Sequence, residues 1–336
     1  ATARAGTLVA VGSGTINDLC KYAAALDGKR CATFATAPSM NGFTSMNAAI
    51  TVDGHKKSLT AIAPDGVFID LAVLAQAPRR LIQAGLGDSV ARPTAQADWL
   101  LAHLVTGVAY RAAPFALLAE DDDEDALFAA PEALVSGDVG AMRHLARTLV
   151  LSGFGMTLCG SSHPASEGEH LISHVIDMLE PAGRPASFHG EQIAVTTLTM
   201  ARLQERMLDG PPPRLGPTSA TLADARRFFG PELGTECWKA FQPKRLDAAR
   251  AETLSARLAM NWDAWRARIG AVTRPAQHIE DVLRRAGAPT RPEDLGLTPA
   301  FYAGCVLHAR LARDRFTFLD LAADSGVLAA FVADGA

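Results

Sequence analysis

The pattern of apolar residues changes at about residue 78 of this 336-residue chain, and this change restricts the fold more than any other feature. Before it, short apolar runs rich in Val, Thr and Phe predict buried strands at residues 7–11, 31–36 and 66–70. After it, Ala- and Leu-rich segments repeat with helical periodicity, interrupted by Gly and Pro clusters. We therefore predict an α/β domain over residues 1–78, followed by an all-α domain over residues 79–336.

A helix is predicted between the first two strands, in residues 12–28 with the sequence GSGTINDLCKYAAALDG. Thr15 is a candidate cap for its first turn, with Asp18 three residues later, and Gly28 is expected to end it. Strand, helix and strand then form a βαβ unit, which is the building block of a Rossmann-like sheet.

A hairpin is predicted after this unit. The Asp-Gly pair at residues 53–54 separates apolar runs at residues 48–52 and 58–63, and Asp-Gly is a typical two-residue hairpin turn. This leaves only two or three parallel strands, whereas a dinucleotide-binding sheet usually has about five or six. We therefore expect the sequence to begin partway into a Rossmann-like domain.

Composition and charge exclude several classes of protein. The net charge of −4 and the scattered basic residues argue against a nucleic-acid surface. Apolar runs are shorter than the roughly 18 residues that a membrane span requires, and the first residues lack a secretory pattern. The five cysteines include no CxxC pair, which argues against a disulfide framework and against a cysteine-built zinc site. We expect a protein of the reducing cytoplasm that binds neither nucleic acid nor membrane.

A phosphate-binding turn is predicted at VAVGSGTIND, where a strand runs through Gly12 and Gly14 into the start of a helix. Backbone N–H groups and the helix dipole could meet a phosphate there, although a tight turn without a ligand would have the same sequence. The next predicted strand ends in the polar loop ATAPSMNGFTS at residues 35–45. Open α/β sheets bind ligands at the carboxyl ends of their strands, so this loop is a second candidate for ligand binding.

Separate segments of the chain also supply candidate metal ligands. His170 and His174 are four residues apart in SSHPASEGEHLISH and share one face of a predicted helix. His189 follows in ASFHGEQIAV, and Asp88 lies in AGLGDSVARPTAQADW. Two histidines from separate segments and a carboxylate would form a three-ligand site with an open position, as catalysis requires. Taken singly, each histidine could equally be a packed helix residue, and Asp88 could be a helix cap after Gly87.

The chain resembles the sn-glycerol-1-phosphate dehydrogenase family at five motifs that occur in order: GSGTIND, TAPSMNGFTS, GLGDSVARPTAQADW, PASEGEHLISH and FHGEQIAV. That family belongs to the superfamily of iron-dependent alcohol dehydrogenases and glycerol dehydrogenases. The resemblance covers roughly residues 8–200 and is weaker in the helical tail. It implies a Rossmann-like domain joined to an α-helical domain, with NAD or NADP and one divalent metal ion in the cleft between them. It favours zinc over iron or nickel, and it implies a homodimer or larger homo-oligomer.

The resemblance also assigns roles to individual residues. Asp88, His170 and His189 match the metal ligands. His174 matches a substrate-contacting histidine that could relay a proton, with a packing role as its alternative. Asn41 and Asp88 match positions that contact the substrate, and Asp88 and His174 are the implied catalytic residues. The positions that match cofactor-binding residues are Gly12, Ser13, Gly14, Thr15, Asp18, Thr36, Ser39 and Ser45.

Three positions depart from the family pattern. Asn41 stands where a carboxylate is common, so hydrogen bonding is kept but the charge is lost. His163 stands where an Arg is usual before Pro-Ala-Ser, and Arg92 stands where a Lys is expected. Because histidine lacks the fixed charge and planar fork of arginine, His163 weakens the prediction of a phosphorylated substrate.

The implied function is metal-assisted hydride transfer between NAD or NADP and a small polyol or polyol phosphate. The leading pair is sn-glycerol 1-phosphate and dihydroxyacetone phosphate. Three alternatives stay open: an unphosphorylated polyol such as glycerol as the substrate, a cyclase that resembles dehydroquinate synthase, and a non-catalytic homologue that binds metal or nucleotide. The cyclase fits less well, because that group has a Glu where this chain has Asp88.

Overall fold

The protein is described here by a computed structural model that covers residues 4–52, 55–119, 122–180 and 183–335. In these ranges all strands lie before residue 70: β1 (Thr7–Gly12), β2 (Arg30–Ala35), β3 (Asn47–Val52), β4 (His55–Thr60) and β5 (Gly66–Ile69). A parallel sheet has the order β1-β2-β5, and β3 and β4 form a separate antiparallel pair. The predicted α/β character of the N-terminal part is confirmed, with three parallel strands.

The predicted βαβ unit is also confirmed, because α1 (Gly14–Asp27) connects two parallel strands, β1 and β2. The prediction that Thr15 caps the helix is wrong. The N–H of Asn17 donates to the carbonyl of Ser13 at 3.0 Å, so the first turn closes on Ser13 and Thr15 lies inside the helix. Gly28 ends α1 as predicted, with a left-handed φ of 62° that L side chains rarely adopt.

The predicted hairpin is confirmed with a longer second strand. β3 pairs with β4 from Asn47 opposite Thr60 to Val52 opposite His55. The predicted Asp-Gly turn at residues 53–54 lies outside the described residues. β4 begins at His55, three residues before the apolar run that predicted it.

One face of the parallel sheet is covered and the other carries exposed apolar side chains. On the covered face Ala10 is buried, and Thr33 Oγ1 donates to Asn17 Oδ1 of α1 at 2.9 Å. On the other face Val11 and Phe68 are 63% and 60% exposed. The sheet is therefore packed on the side of α1 and open on the side of these apolar residues.

The described chain after residue 70 is helical. The helices are α2 (Leu71–Ala75), α3 (Arg79–Ser89), α4 (Arg92–Thr106), α5 (Ala113–Ala119), α6 (Asp123–Ala129), α7 (Pro131–Val135), α8 (Val139–Cys159), α9 (Gly168–Met178), α10 (His189–Asp209), α11 (Leu222–Phe229), α12 (Pro231–Phe241), α13 (Ala248–Gly270), α14 (Ala276–Ala286), α15 (Pro299–His308), α16 (Phe318–Asp324) and α17 (Leu328–Ala333). Short 3-10 turns lie at Gly42–Thr44, Gln242–Lys244, Pro292–Leu295 and Ala309–Ala312. The predicted α-helical remainder is confirmed, and the domain boundary at residue 78 stays a prediction.

Two hydrophobic clusters hold these elements together. One contains Phe43 beside helices α3, α8, α10 and α14, so the loop after β2 packs directly on the helices. The other lies within the helical part and includes Phe241, Trp262 and Phe318. All five cysteines are free, as predicted. In the described part of the chain, every helix is too short or too polar to cross a membrane.

Candidate active site

Asp88, His170 and His189 come together from three different helices. Asp88 lies near the end of α3, His170 lies in the first turn of α9, and His189 begins α10. Oδ1 of Asp88 is 3.8 Å from Nε2 of His170 and 3.8 Å from Nε2 of His189. One ligand atom from each residue lies within 4.8 Å of the other two. Since Asp88 is inside a helix, the alternative reading of this residue as a helix cap is wrong.

Glycines allow the helices that carry Asp88 and His189 to touch through their backbones. A Cβ on Gly87 of α3 would lie 2.1 Å from the carbonyl oxygen of Gly190 in α10. In the reverse direction, a Cβ on Gly190 would lie 1.8 Å from the carbonyl oxygen of Ala84 in α3. Each glycine is the immediate neighbour of a candidate ligand. The close approach therefore sets the separation of Asp88 from His189.

A third glycine brings the loop after β2 onto α3. A Cβ on Gly85 would lie 1.6 Å from the carbonyl oxygen of Pro38, so only glycine fits this contact. Three residues after Pro38, the backbone N–H of Asn41 donates to Asp88 Oδ2 at 2.6 Å. This bond holds one carboxylate oxygen and leaves Oδ1 facing the two imidazoles.

The three side chains fit a divalent cation. Asp88 is 2% exposed, and its Oδ1 accepts no hydrogen bond from the described residues. Burial raises the pKa of Asp88, and His170 and the N–H of Asn41 oppose this shift. A buried carboxylate oxygen without a hydrogen bond is costly unless a cation lies beside it. Protein ligands bind zinc at about 2.0–2.2 Å, so two ligand atoms 3.8 Å apart can share one ion.

Glu169 orients His170. Its Oε1 accepts from Nδ1 of His170 at 2.8 Å and from the backbone N–H of Glu167 at 2.9 Å, and its side chain is fully buried. A proton on Nδ1 leaves the lone pair on Nε2, the nitrogen that faces Asp88. A carboxylate behind a metal-binding histidine is a common way to fix its tautomer and ring orientation.

Asp98 of α4 anchors the helix that carries His170. Its carboxylate accepts from the N–H of Gly168 at 2.9 Å and from the N–H of Phe318 at 2.8 Å. These are the first residues of α9 and α16, so one buried carboxylate joins two helix N-termini, where negative charge is favourable. Burial, helped by the charge of Glu169, raises the pKa of Asp98 well above its usual range.

A separate ion pair positions His189. Oε2 of Glu191 accepts from the N–H of Phe188 at 2.7 Å, which caps the start of α10. Arg80 of α3 donates to both oxygens of Glu191, from Nε at 2.6 Å and from Nη2 at 2.8 Å. Its guanidinium also lies 4.8 Å from the centre of the Phe188 ring. The first turn of α10 is thus tied to α3 on both sides of His189.

Two of the candidate ligands, His170 and His189, line a cavity of about 500 Å³ between the β1–α1 turn, the loop after β2 and helices α9 and α10, whereas the buried Asp88 lies behind them and is not among its lining residues. This volume is in the range of small-molecule sites. The predicted site residues that line it are Ser13, Gly14, Thr15, Asp18, Ser39, Asn41, Ser45, His170, His174 and His189. Sequence reasoning did not single out Met156, Ser162, Ser166, Phe188 and Arg313, which also line it.

Two predicted cofactor residues, Gly12 and Thr36, are not among the residues that line this cavity. Gly12 ends β1 and Thr36 directly follows β2, and the N–H of Thr36 donates to the carbonyl of Gly12 at 3.0 Å. The two residues therefore support the β1–α1 turn from below the cavity lining and do not line the cavity themselves. The carboxylate of Asp18 accepts from the N–H of Ala49 at 2.9 Å and is 3.4 Å from Lys21, so it fixes β3 beside the cavity.

Lys21 is a structural residue of the site that sequence reasoning missed. Its ammonium group is fully buried and donates to the carbonyls of Gly42, Ser45 and Asn47 at 2.8, 3.1 and 2.6 Å. Burial lowers the pKa of Lys21, and the nearby Asp18 opposes this. The lysine thus holds the loop that contributes Asn41 and Ser45. Its only sequence signal is a position one helical turn after Asp18.

The two basic positions noted as departures lie away from the cavity lining. His163 stacks on Trp99, with ring centroids 5.5 Å apart, and its Nδ1 bonds to Glu167 at 2.6 Å. Arg92 pairs with Glu124 and donates to Gln96. Neither side chain lines the main cavity.

Comparisons with known proteins identify related dehydrogenases. The family model described as iron-containing alcohol dehydrogenase matches residues 1–78. A protein of Geobacillus stearothermophilus named glycerol-1-phosphate dehydrogenase, with NAD(P)+ in its name, is 32% identical over 315 residues, which is 93% of this chain and 70% of that protein. Proteins of the same name from Sulfurisphaera tokodaii and Pyrococcus furiosus are 40% and 39% identical over 59% and 58% of this chain. The chain spans 55% of the length of each of these two relatives.

Solved structures show the same architecture. A probable glycerol dehydrogenase from Sinorhizobium meliloti matches with a TM-score of 0.59 and 20% identity, over 98% of this chain and 78% of that chain. The glycerol dehydrogenase from Schizosaccharomyces pombe matches with a TM-score of 0.61 and 15% identity, over 98% of this chain and 71% of that chain. At these identities the likeness concerns the fold, which is the predicted Rossmann-like part followed by an α-helical part.

Proposed function

The chain belongs to the glycerol-1-phosphate dehydrogenase family, and on this premise we propose that it is a metal-dependent, NAD(P)-linked dehydrogenase. The proposed reaction interconverts sn-glycerol 1-phosphate and dihydroxyacetone phosphate. One observation carries the proposal: a buried carboxylate oxygen without a hydrogen-bond donor faces two imidazoles at the edge of a cavity that a glycine turn also lines.

Asp88, His170 and His189 would hold the metal ion. A carboxylate and two imidazoles suit zinc, with iron or nickel as alternatives, and three protein ligands leave a position open for substrate. A divalent ion bound there would polarise the oxygen of the alcohol or ketone, and the nicotinamide would exchange hydride with the adjacent carbon.

His174 is the proposed proton carrier. It lies one helical turn after His170, the two ring centroids are 6.3 Å apart, and it lines the cavity. A histidine titrates near neutral pH, so it can accept a proton from the alcohol and pass it to water. On the opposite side, Ser13, Gly14 and Thr15 at the start of α1 offer backbone N–H groups to the phosphates of NAD or NADP.

Oxidation of NADH and NADPH by the purified, zinc-loaded protein tests the proposal. Dihydroxyacetone phosphate and unphosphorylated dihydroxyacetone are offered in parallel. We expect turnover with a preference for the phosphate. A preference for the free ketone would make the protein a polyol dehydrogenase. Absence of net NAD(P)H oxidation with either ketone would contradict the proposal and favour a cyclase, which returns its cofactor unchanged, or a non-catalytic homologue.

We also propose that the protein is cytoplasmic and that it assembles into a homodimer or a larger homo-oligomer. The free cysteines support a reducing compartment. Light scattering coupled to size-exclusion chromatography measures the assembly state, and a mass equal to one chain at micromolar concentration would contradict an oligomer.

A further inference from the structure

Arg313 has an unusual position among the basic residues of this protein. It lies in the segment between the turn Ala309–Ala312 and α16, and it is the only Lys or Arg among the described residues that line the 500 Å³ cavity. Its guanidinium takes part in none of the hydrogen bonds or ion pairs formed by residues 4–52, 55–119, 122–180 and 183–335. Arg313 therefore brings a cation to the cavity lining that has no hydrogen bond or close ion pair within the described part of the chain.

Glu167, an acidic side chain whose charge acts on Arg313, is already engaged by other groups. Glu167 accepts from Nδ1 of His163 at 2.6 Å, and its Oε1 lies 3.6 Å from Nη1 of Arg315. Arg315 also donates to the carbonyl of Ser166 and, at 2.7 Å, to Oγ of Ser162. Arg315 thus ties its own segment to the loop before α9 and neutralises Glu167, while Arg313 remains available for a ligand.

Two serines, Ser162 and Ser166, line the same cavity. Ser162 Oγ accepts a hydrogen bond from Arg315, so its own proton is free to be donated to a ligand. The hydroxyl of Ser166 lines the cavity and forms no hydrogen bond with the described residues. A guanidinium with two hydroxyl donors is a typical set of ligands for phosphate.

The cation persists at neutral pH. Burial, together with the like charge of Arg315, lowers the pKa of Arg313 to about 10. Burying a charge without a partner is unfavourable, and a dianionic ligand would remove this cost. An anion at this place is therefore energetically favourable.

We propose that Arg313, with the hydroxyls of Ser162 and Ser166, binds the phosphate group of the substrate. The inference rests on the proposed function and adds to it the residues that recognise the phosphate. Ser166 is only four residues before His170, whereas the turn suited to cofactor phosphates lies in α1. Arg313 would thus supply a fixed positive charge for the phosphate, in place of the Arg that is usual in the family at position 163.

The test compares Arg313→Gln and Arg313→Lys with the wild type, each loaded with zinc. Arg268→Gln is the matched control, since Arg268 is exposed in α13 and forms no hydrogen bond with the described residues. Calorimetry with NAD+ present gives the Kd of dihydroxyacetone phosphate and of inorganic phosphate without turnover. Steady-state rates give KM for both ketones and for NADH.

We expect Arg313→Gln to raise the Kd and KM of dihydroxyacetone phosphate by about 10- to 100-fold, the range for a lost charged hydrogen bond. The KM values for dihydroxyacetone and NADH should stay within about twofold, because neither ligand would place a phosphate on Arg313. Arg313→Lys should lie between Gln and wild type, because lysine keeps the charge but not the fork.

Three results would overturn the inference: an unchanged affinity for the phosphorylated ketone in Arg313→Gln, an equal loss for both ketones, or a loss confined to NADH, which would assign Arg313 to the cofactor. A wild type that binds neither phosphate ligand would also overturn it. A different set of results is expected if the proposed function itself is wrong. In that case the wild type binds dihydroxyacetone phosphate and Arg313→Gln does not, but neither oxidises NAD(P)H.

Discussion

Replacing Gly190 with alanine tests whether the close approach of α3 and α10 builds the metal site. The new Cβ would lie 1.8 Å from the carbonyl oxygen of Ala84 and 2.5 Å from its carbonyl carbon. Real Cβ atoms almost never come closer than 3.0 Å, and the difference between 3.0 and 1.8 Å requires the helices to separate by about 1.2 Å. The clash is with backbone, so no change of rotamer relieves it.

This displacement has two calculable consequences. Overpacking of a tight contact typically costs about 1–3 kcal/mol of unfolding free energy. The metal site is more sensitive, since ligand distances must hold to within about 0.2 Å. His189 adjoins Gly190, and Asp88 lies one helical turn after Ala84. A shift of this size moves the two ligands apart by several times that tolerance, so zinc affinity should fall by at least about 10-fold.

Zinc affinity is measured by competition with a chromophoric chelator, and stability by thermal unfolding with and without zinc. Gly270→Ala is the matched control, because Gly270 ends α13 and a Cβ there meets nothing within 4 Å. We expect the control to match the wild type in both measurements. If Gly190→Ala kept wild-type zinc affinity and melting temperature, the argument that glycine contacts set the ligand separation would be refuted.

Substitutions at three further positions probe a candidate ligand and the groups around the ligands. Asp88→Ala should lose zinc and activity together, and a fully active variant with a full complement of zinc would remove Asp88 from the ligand set. Glu169→Leu should weaken zinc binding about 10- to 100-fold because Nδ1 of His170 loses its acceptor; Glu169→Gln should restore most of it, and equal losses in both variants would contradict this role. Because burial raises the pKa of Asp98, the folded state binds this proton more tightly than the unfolded state. The stability of wild type relative to Asp98→Asn should therefore be greatest below about pH 3.9 and fall as pH rises through the raised pKa. Urea unfolding between pH 4 and 8 measures this difference, and a constant value would exclude it.

Local sequence patterns were sufficient for the βαβ unit, the hairpin and the helical character of the rest, whereas the set of candidate ligands also needed the family resemblance. The βαβ unit follows from apolar runs and a glycine at each end of a helix, and the hairpin follows from one Asp-Gly pair. His170 and His174 share a helix face because their spacing is four residues. The helix that contains Asp88 was predictable only as helical periodicity, so a capping role could not be excluded from sequence.

The residues that hold the candidate ligands and the cavity in place were not predictable from the sequence, because their roles depend on contacts between segments distant in sequence. Nothing local distinguishes Gly190, which must accommodate a carbonyl of α3. Lys21 resembles an ordinary exposed lysine of a helix until the loop after β2 folds over it. Arg313 lies in the tail where the family resemblance is weak, and only the fold brings it to the cavity.

Asn41 illustrates how a departure from a family pattern can leave the metal site intact while changing the ligand environment. The bond to Asp88 comes from the backbone N–H of residue 41, so it does not require a carboxylate in the side chain. Losing that carboxylate leaves Asp18 as the only acidic residue among the described cavity-lining residues, and its oxygens accept from Asn17 and Ala49. The cavity then presents one unengaged cation, Arg313, and no unengaged carboxylate. Such a charge balance favours anionic ligands, as a phosphorylated substrate and a dinucleotide both are.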